Sequence, residues 1–300
     1  MKHLLNIESL DAAQIDRILA RAAEMKRLRG PHPDAPLAGE CWALMFSKSS
    51  TRTRISFEVG IRELGGQPVF LAANDIQLGR GEPISDTARV MGRMVQGAVI
   101  RTYAQGDVEQ FAALSGIRTI NALTDLEHPC QILSDLFTII EKRGSLDGLT
   151  VTFIGDGDCN VARSWIWAAA KLGFALRIAA PAKFQPPAEL VRRAGGDIVV
   201  TTDVLGASTG ADVLYTDVWV SMGKEDETAF RNAQFGGYQI NQAAVDAAGG
   251  SPLVMHCLPA YRGKEITADV FEGNAQTIFD QAENRLHTQK AVLTLLEKRG

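Results

Sequence analysis

Cysteine is scarce in this 300-residue chain, and the four present, Cys41, Cys130, Cys159 and Cys257, form no Cys-x-x-Cys pair. A disulfide framework is therefore not expected, and reduced thiols in a cytoplasmic protein are the better reading. No uninterrupted apolar run is long enough to cross a bilayer. The opening Met1-Lys2-His3-Leu4-Leu5-Asn6-Ile7-Glu8 is too short and too soon charged to act as an export signal. Charge of one sign is also lacking: the formal net charge is −4 and the pI about 5.8. That balance argues against nucleic acid or an anionic membrane as partner, so an anionic small molecule has to be held by locally gathered cations. Internal repeats and low-complexity tracts are absent as well.

What remains is ordinary globular material, 46% apolar and 22% charged, long enough for two domains with separate cores. An amphipathic helix is expected from Ser9-Leu10-Asp11 to about Arg27, with Ile15, Ile18 and Leu19 on one face and Gly30-Pro31 stopping it. Strands are expected at 41–46, 68–71 and 98–101, and helices at 85–94 and 107–114. A longer helix starts near His128-Pro129, because proline suits the first helical position, and runs to Gly144. Gly144-Ser145-Leu146-Asp147-Gly148 is the candidate boundary. Beyond it the alternation resumes with strands at 149–154, 175–179, 197–200 and 213–215. Alternating strands and helices imply mostly parallel sheets. The expected fold is therefore α/β, with a first domain over 1–144 and a second over 145–281. A last helix, about 282–300, is long enough to pack back onto the first domain.

Ser47-Lys48-Ser49-Ser50-Thr51-Arg52-Thr53-Arg54 lies between a buried strand and a helix. A helix N-terminus offers unpaired N–H groups and a positive dipole end, which attract an anion. Hydroxyls of Ser50, Thr51 and Thr53 and the guanidiniums of Arg52 and Arg54 crowd that turn, and the arginine fork suits phosphate oxygens. The bland alternative is a plain N-cap beside solvated arginines. A Walker loop is ruled out by the missing glycines and lysine. Gly155-Asp156-Gly157-Asp158-Cys159-Asn160 also follows a strand, but Asn160 stands where a dinucleotide loop needs its third glycine, which disfavours an NAD-dependent oxidoreductase. Zinc held by His128, Cys130, His256 and Cys257 has an unconvincing ligand pattern. Neighbouring strand residues face opposite ways, so His256 and Cys257 are not expected to reach one substrate together. Trp42, Trp165, Trp167 and Trp219 read as packing, and Arg192-Arg193 as a solvated helix face.

Three runs in order, Ser50-Thr51-Arg52-Thr53-Arg54, His128-Pro129-Cys130-Gln131 and His256-Cys257-Leu258-Pro259, resemble the signature of the carbamoyltransferases. The likeness continues through Gln77-Leu78-Gly79-Arg80-Gly81-Glu82 and Glu283-Asn284-Arg285-Leu286, so it spans essentially the whole chain. Asp217-Val218-Trp219-Val220-Ser221-Met222-Gly223 and the thiol of Cys257 resemble the ornithine branch more than the aspartate branch. Arg163 and Tyr261 depart from that branch's common pattern.

The resemblance implies two domains with the active site in the cleft between them, and a reaction that needs no metal and no redox cofactor. By it, Ser50, Thr51, Arg52, Thr53 and Arg285 hold the phosphate of carbamoyl phosphate. Arg101, His128 and Gln131 address the carbamoyl end, with Arg101 and His128 as oxyanion donors. Asn160, Asp217, Ser221 and the backbone at Met222 hold ornithine, while Cys257 and the Leu258 carbonyl face the reacting amine, Cys257 taking its proton. Gln77 reaches a neighbouring subunit's site, which implies a homotrimer or a multiple of trimers. The readings to be weighed against this are a carbamoyltransferase for putrescine or a modified ornithine, and a non-catalytic binding protein on the same fold.

Overall fold

The computed structural model describes residues 1–72, 81–221 and 223–298. Gln77 and Met222 lie outside the described residues. The chain divides into two compact units, Met1–Phe137 with Glu283–Gly300, and Thr138–Ala282. Both divisions fall inside helices.

The first unit runs α1 (Ala12–Arg27), β1 (Cys41–Phe46), α2 (Arg52–Glu63), β2 (Gln67–Ala72), α3 (Ile84–Met91), β3 (Gly97–Arg101), α4 (Gln105–Ser115), β4 (Arg118–Leu123) and the start of α5 (Pro129–Arg143). Its sheet has the order β2-β1-β3-β4, with every pair parallel. Strands covered on both faces read as continuous apolar runs, as in the buried Trp42-Ala43-Leu44-Met45-Phe46. The first helix begins with a capping box in which Asp11 accepts from the Gln14 N–H and the Gln14 side chain accepts from the Asp11 N–H.

The second unit continues with β5 (Thr150–Ile154), α6 (Asn160–Leu172), β6 (Ala175–Ala179), α7 (Ala188–Ala194), β7 (Ile198–Thr201) and α8 (Val204–Ser208). It is completed by β8 (Val213–Thr216), α9 (Thr228–Gln234), α10 (Gln242–Ala248), β9 (Leu253–His256), α11 (Ala268–Gly273) and the start of α12 (Ala275–Leu295). Its parallel sheet has the order β7-β6-β5-β8-β9. The last helix starts seven residues before the expected Ala282, and its later part belongs to the first unit. There Lys290 pairs with Glu63 (2.7 Å) and Asn284 accepts from Lys26 (2.9 Å).

Candidate active site

Functional residues collect in two clusters, one per unit, each at the carboxyl ends of parallel strands, where open α/β sheets bind ligands. In the first unit Phe46 is in register with Arg101, so the loop leaving β1 and the end of β3 emerge side by side. The Ser47 N–H donates to the Arg101 carbonyl (2.8 Å) and ties them together. The next strand, β4, leads through Glu127, whose carboxylate accepts from the buried Ile7 N–H (2.7 Å), to His128 at the head of α5.

Helix α2 starts at Arg52, and Thr51 makes no side-chain capping bond; the Ser50 hydroxyl instead accepts from the Thr53 N–H (3.3 Å). The expected crowding of two guanidiniums is corrected. Arg52 is half-buried, while Arg54 pairs with Glu58 (3.2 Å) and covers the Phe70 ring on an exposed face. The second inward guanidinium comes from the far end of the chain. Arg285 donates to Gln131 Oε1 (2.6 Å) and to Thr53 Oγ1 (2.9 Å), bridging α5 to α2. Gln131 is held in turn by Asp135 (2.8 Å). Thr53, Arg101, His128, Gln131 and Arg285 are all buried.

Burial, then the charges of Arg285, Arg101 and Arg52, hold the His128 imidazole well below its ordinary value of 6.5. At neutral pH it is uncharged and able to offer an N–H to a developing oxyanion. Three cations around a neutral ring make a site that favours an anion. Sequence reasoning gave Lys48 no role. It is buried within the same loop, pairs with Asp125 and lies 4.2 Å from the centre of the Tyr103 ring, so it anchors the loop.

In the second unit Ile154 pairs in register with Thr216, and Thr216 with His256. The residues that follow these three are therefore neighbours at one edge: the 155–160 loop, Asp217 and Cys257. Gly155 takes a φ of 138°, and a Cβ at Gly157 would come within 2.8 Å of Ile178 Cγ2, so both glycines are required by the turn. Asn160 opens α6 from a half-buried position.

The Cys257 thiol donates to Asp217 Oδ1 (2.8 Å), which also accepts from the Val218 N–H (2.7 Å). Burial raises the Asp217 carboxyl above its ordinary 3.8, against the opposing effects of His256 and these two hydrogen bonds. Ser221 is half-buried, its carbonyl accepting from the Lys224 N–H (3.1 Å).

His256 is closer to this chemistry than strand alternation allowed. The strand ends at His256, and Leu258 adopts a left-handed φ of 57°. As a result one donor atom each from Asp217, His256 and Cys257 lies within 4.8 Å of the others. Metal binding does not follow. His256 Nδ1 accepts from the Leu258 N–H (2.8 Å) and Nε2 faces Glu265 Oε1 (3.1 Å), so both ring nitrogens are already engaged. Cys130 lies apart from this group, and burial pushes its thiol up to about 12.

Two departures noted in the sequence have structural roles of different weight. Arg163 braces the 155–160 loop through Asp158 (2.7 Å), whereas the Tyr261 side chain is 53% exposed. Sequence reasoning overlooked Arg231. Buried, it pairs with Asp156 (2.8 Å) and donates to the Trp219 carbonyl (3.2 Å), locking the 155–160 loop to the 217–221 segment. Its pairing with Glu227 (2.7 Å) is local, but the two partners that make it a lock lie 75 and 12 positions away.

Two family models match, one on either side of residues 142–146. Residues 2–141 match the carbamoyl-P binding domain of aspartate/ornithine carbamoyltransferase, and 147–296 match its Asp/Orn binding domain. The chain belongs to the aspartate/ornithine carbamoyltransferase family. Among members of that family, it is 56% identical over 299 residues to ornithine carbamoyltransferase of Akkermansia muciniphila, covering 99% of this chain and 98% of the relative. It is 47% identical to the anabolic ornithine carbamoyltransferase of Pseudomonas aeruginosa, covering 99% and 97%. The crystal structure of the anabolic ornithine carbamoyltransferase from Campylobacter jejuni superposes with a TM-score of 0.93 at 40% identity, covering 99% of both chains. That of the Pyrococcus furiosus ornithine carbamoyltransferase gives 0.91 at 42%, covering 98% of this chain and 96% of that one.

Proposed function

We propose that this carbamoyltransferase moves the carbamoyl group of carbamoyl phosphate to the side-chain amine of L-ornithine, giving L-citrulline and phosphate. The observation that carries the acceptor choice is the buried Asp217 carboxylate accepting from the Cys257 thiol. A buried carboxylate favours a cationic amine and repels the second carboxylate of aspartate. The names of the relatives support the same acceptor, and the two called anabolic support the biosynthetic direction.

Ser50, Thr51, Arg52, Thr53 and Arg285 hold the phosphate, and Arg101, His128 and Gln131 address the carbamoyl oxygen. Asn160, Asp217, Ser221 and Met222 take the amino acid, with Cys257 and the Leu258 carbonyl at the reacting amine. The two clusters then serve one reaction, contributed by a carbamoyl phosphate domain (1–144 with the last helix) and an ornithine domain (145–281). An unperturbed alkylammonium has a pKa of about 10.4 and no lone pair. It loses one proton before attack, for which the Cys257–Asp217 pair is the acceptor. The tetrahedral oxyanion forms on Arg101 and His128. Its collapse expels phosphate, which takes up the second proton of the nitrogen. Alignment and charge stabilisation supply the rate.

The test is product formation from carbamoyl phosphate with ornithine, putrescine, aspartate and acetylornithine compared as acceptors. Turnover with ornithine alone is expected. Preference for putrescine or acetylornithine would move the error to residues 217–223, and no turnover with any would leave a binding protein.

We further propose a homotrimer, or a multiple of trimers, in which Gln77 completes a neighbour's site. Mixing inactive Arg52→Ala chains with inactive Gln77→Ala chains should restore a measurable fraction of activity once subunits exchange. Exchange without recovery would count against a shared site. Among the described residues no helix is long and apolar enough to cross a membrane, and all four cysteines are free, which supports the cytoplasm as the compartment.

A further inference from the structure

One turn past Gln131, helix α5 buries a carboxyl that the reaction does not use. Asp135 and its helical neighbours Ile132, Leu133, Leu136 and Phe137 are all buried. A carboxyl is costly in apolar surroundings, and an apolar side chain would fill the same space without that cost. Glutamine and aspartate four residues apart can steady a helix at its surface. Inside the protein, the pair's other contacts decide what it is for.

Those contacts run in one line. Asp135 Oδ1 accepts from Gln131 Nε2 (2.8 Å), Gln131 Oε1 accepts from Arg285 Nη1 (2.6 Å), and Thr53 Oγ1 accepts from Arg285 Nη2 (2.9 Å). All four residues are buried and belong to the first unit. Thr53 stands in the first turn of α2, directly after the hydroxyl-rich loop.

A side-chain amide has an acceptor at one end and donors at the other, in nearly the same shape. Packing alone therefore does not choose which end meets Arg285. With the NH2 turned toward it, donor would face donor, and the guanidinium would swing off both Gln131 and Thr53. A carboxylate only accepts, so Asp135 takes the NH2 end and leaves the oxygen for Arg285. Gln131 and Thr53 then hold the two terminal nitrogens and set the plane in which the fork meets phosphate oxygens.

We propose that Asp135 is a positioning residue for carbamoyl phosphate, at the phosphate site proposed above on which this inference rests. It fixes the direction of the Gln131 amide and, through it, the plane of Arg285.

The test measures inorganic phosphate binding by calorimetry and the KM for carbamoyl phosphate, in full-length chains. Asp135→Ala and Asp135→Leu both remove the acceptor, one leaving space and the other filling it, so one folded chain is enough. Circular dichroism and melting temperature identify it. Each should weaken phosphate and raise the KM for carbamoyl phosphate by at least about tenfold, as a buried donor loses its partner. The KM for ornithine, at saturating carbamoyl phosphate, should stay within about threefold, because α5 keeps its helix former. Asp135→Asn still offers an oxygen to Gln131 and should bring both values to within about threefold of the parent. In a Gln131→Leu background there is no amide to direct, so Asp135→Ala should change phosphate binding less than about twofold. Arg52→Gln serves as the reference for the site itself. Phosphate binding indifferent to Arg52→Gln overturns the phosphate site and this proposal together. Where Arg52→Gln does weaken it, any of three results overturns the proposal alone: apolar variants that bind like the parent, Asp135→Asn as weak as they are, or a full further loss in the Gln131→Leu background.

Discussion

Arg101→Met should lower kcat by roughly a hundred- to a thousandfold, the loss seen when one oxyanion donor is removed. Arg101 is buried at the carboxyl end of β3, and its carbonyl is already committed to the Ser47 N–H. Its backbone position is thus fixed, and the substitution removes charge and donors without freeing the loop. Thermal stability should not fall in proportion, because taking one cation from beside Arg52 and Arg285 relieves repulsion between like charges. The charge of Arg101 is one of the influences that depress His128. Its loss should move that imidazole part of the way back toward 6.5, and the acid limb of the rate profile upward in pH. Burial and Arg285, the larger influences, remain. A kcat within threefold of the parent enzyme would remove Arg101 from the chemistry.

Cys257→Ala is the second large effect. Losing a positioned proton acceptor costs about 10²–10⁴ in rate, so kcat near neutral pH should drop by about a hundredfold and the KM for ornithine should rise. The thiol is one of the groups that lower Asp217 against its burial. Without it the carboxyl climbs further, and its hold on an ammonium weakens. Above about pH 9 more of the amine is already neutral, so the deficit should shrink. Cys257→Ser separates binding from proton transfer: a hydroxyl still donates to Asp217 and should restore KM, but it is too weak an acid to restore kcat. Kinetics unchanged from pH 6 to 9.5 in the alanine variant would sink the assignment.

Stability should carry the matching sign. A carboxyl raised in the folded state binds its proton more tightly there than in the unfolded chain. Asp217 therefore costs stability progressively as pH rises above the ordinary 3.8. A cationic substrate seated against it offsets that cost, and ornithine should raise the melting temperature more at pH 7 than at pH 4.

How much of this was legible in the sequence depends on whether the residues concerned interact locally. Apolar runs such as 41–46 and 150–154 declare buried parallel strands, because both faces of such a strand are covered and every position tolerates an apolar side chain. The loop at 47–54 declares an anion site through its hydroxyls and arginines at a helix start. Chemically dense motifs around His128 and Cys257 carry the family. All of these are properties of short stretches of chain.

Tertiary structure decided the rest. Strand β4, Arg118–Leu123, escaped notice because Arg118, Thr119 and Asn121 are polar, although the strand is wholly buried. Their partners come from elsewhere in the chain: Glu40 accepts from Arg118, His3 from the Thr119 N–H and the Leu5 carbonyl from the Asn121 amide (2.8 Å). Strand periodicity does not extend past His256, where the strand ends and the backbone turns at Leu258, so the nearness of His256 to Asp217 and Cys257 is visible only in three dimensions. The partnership of Arg285 with Thr53 spans 232 positions, and that of Arg231 with Asp156 spans 75. Local sequence records which groups a segment offers. Which distant group answers each of them is set only when the strands align and the helices pack.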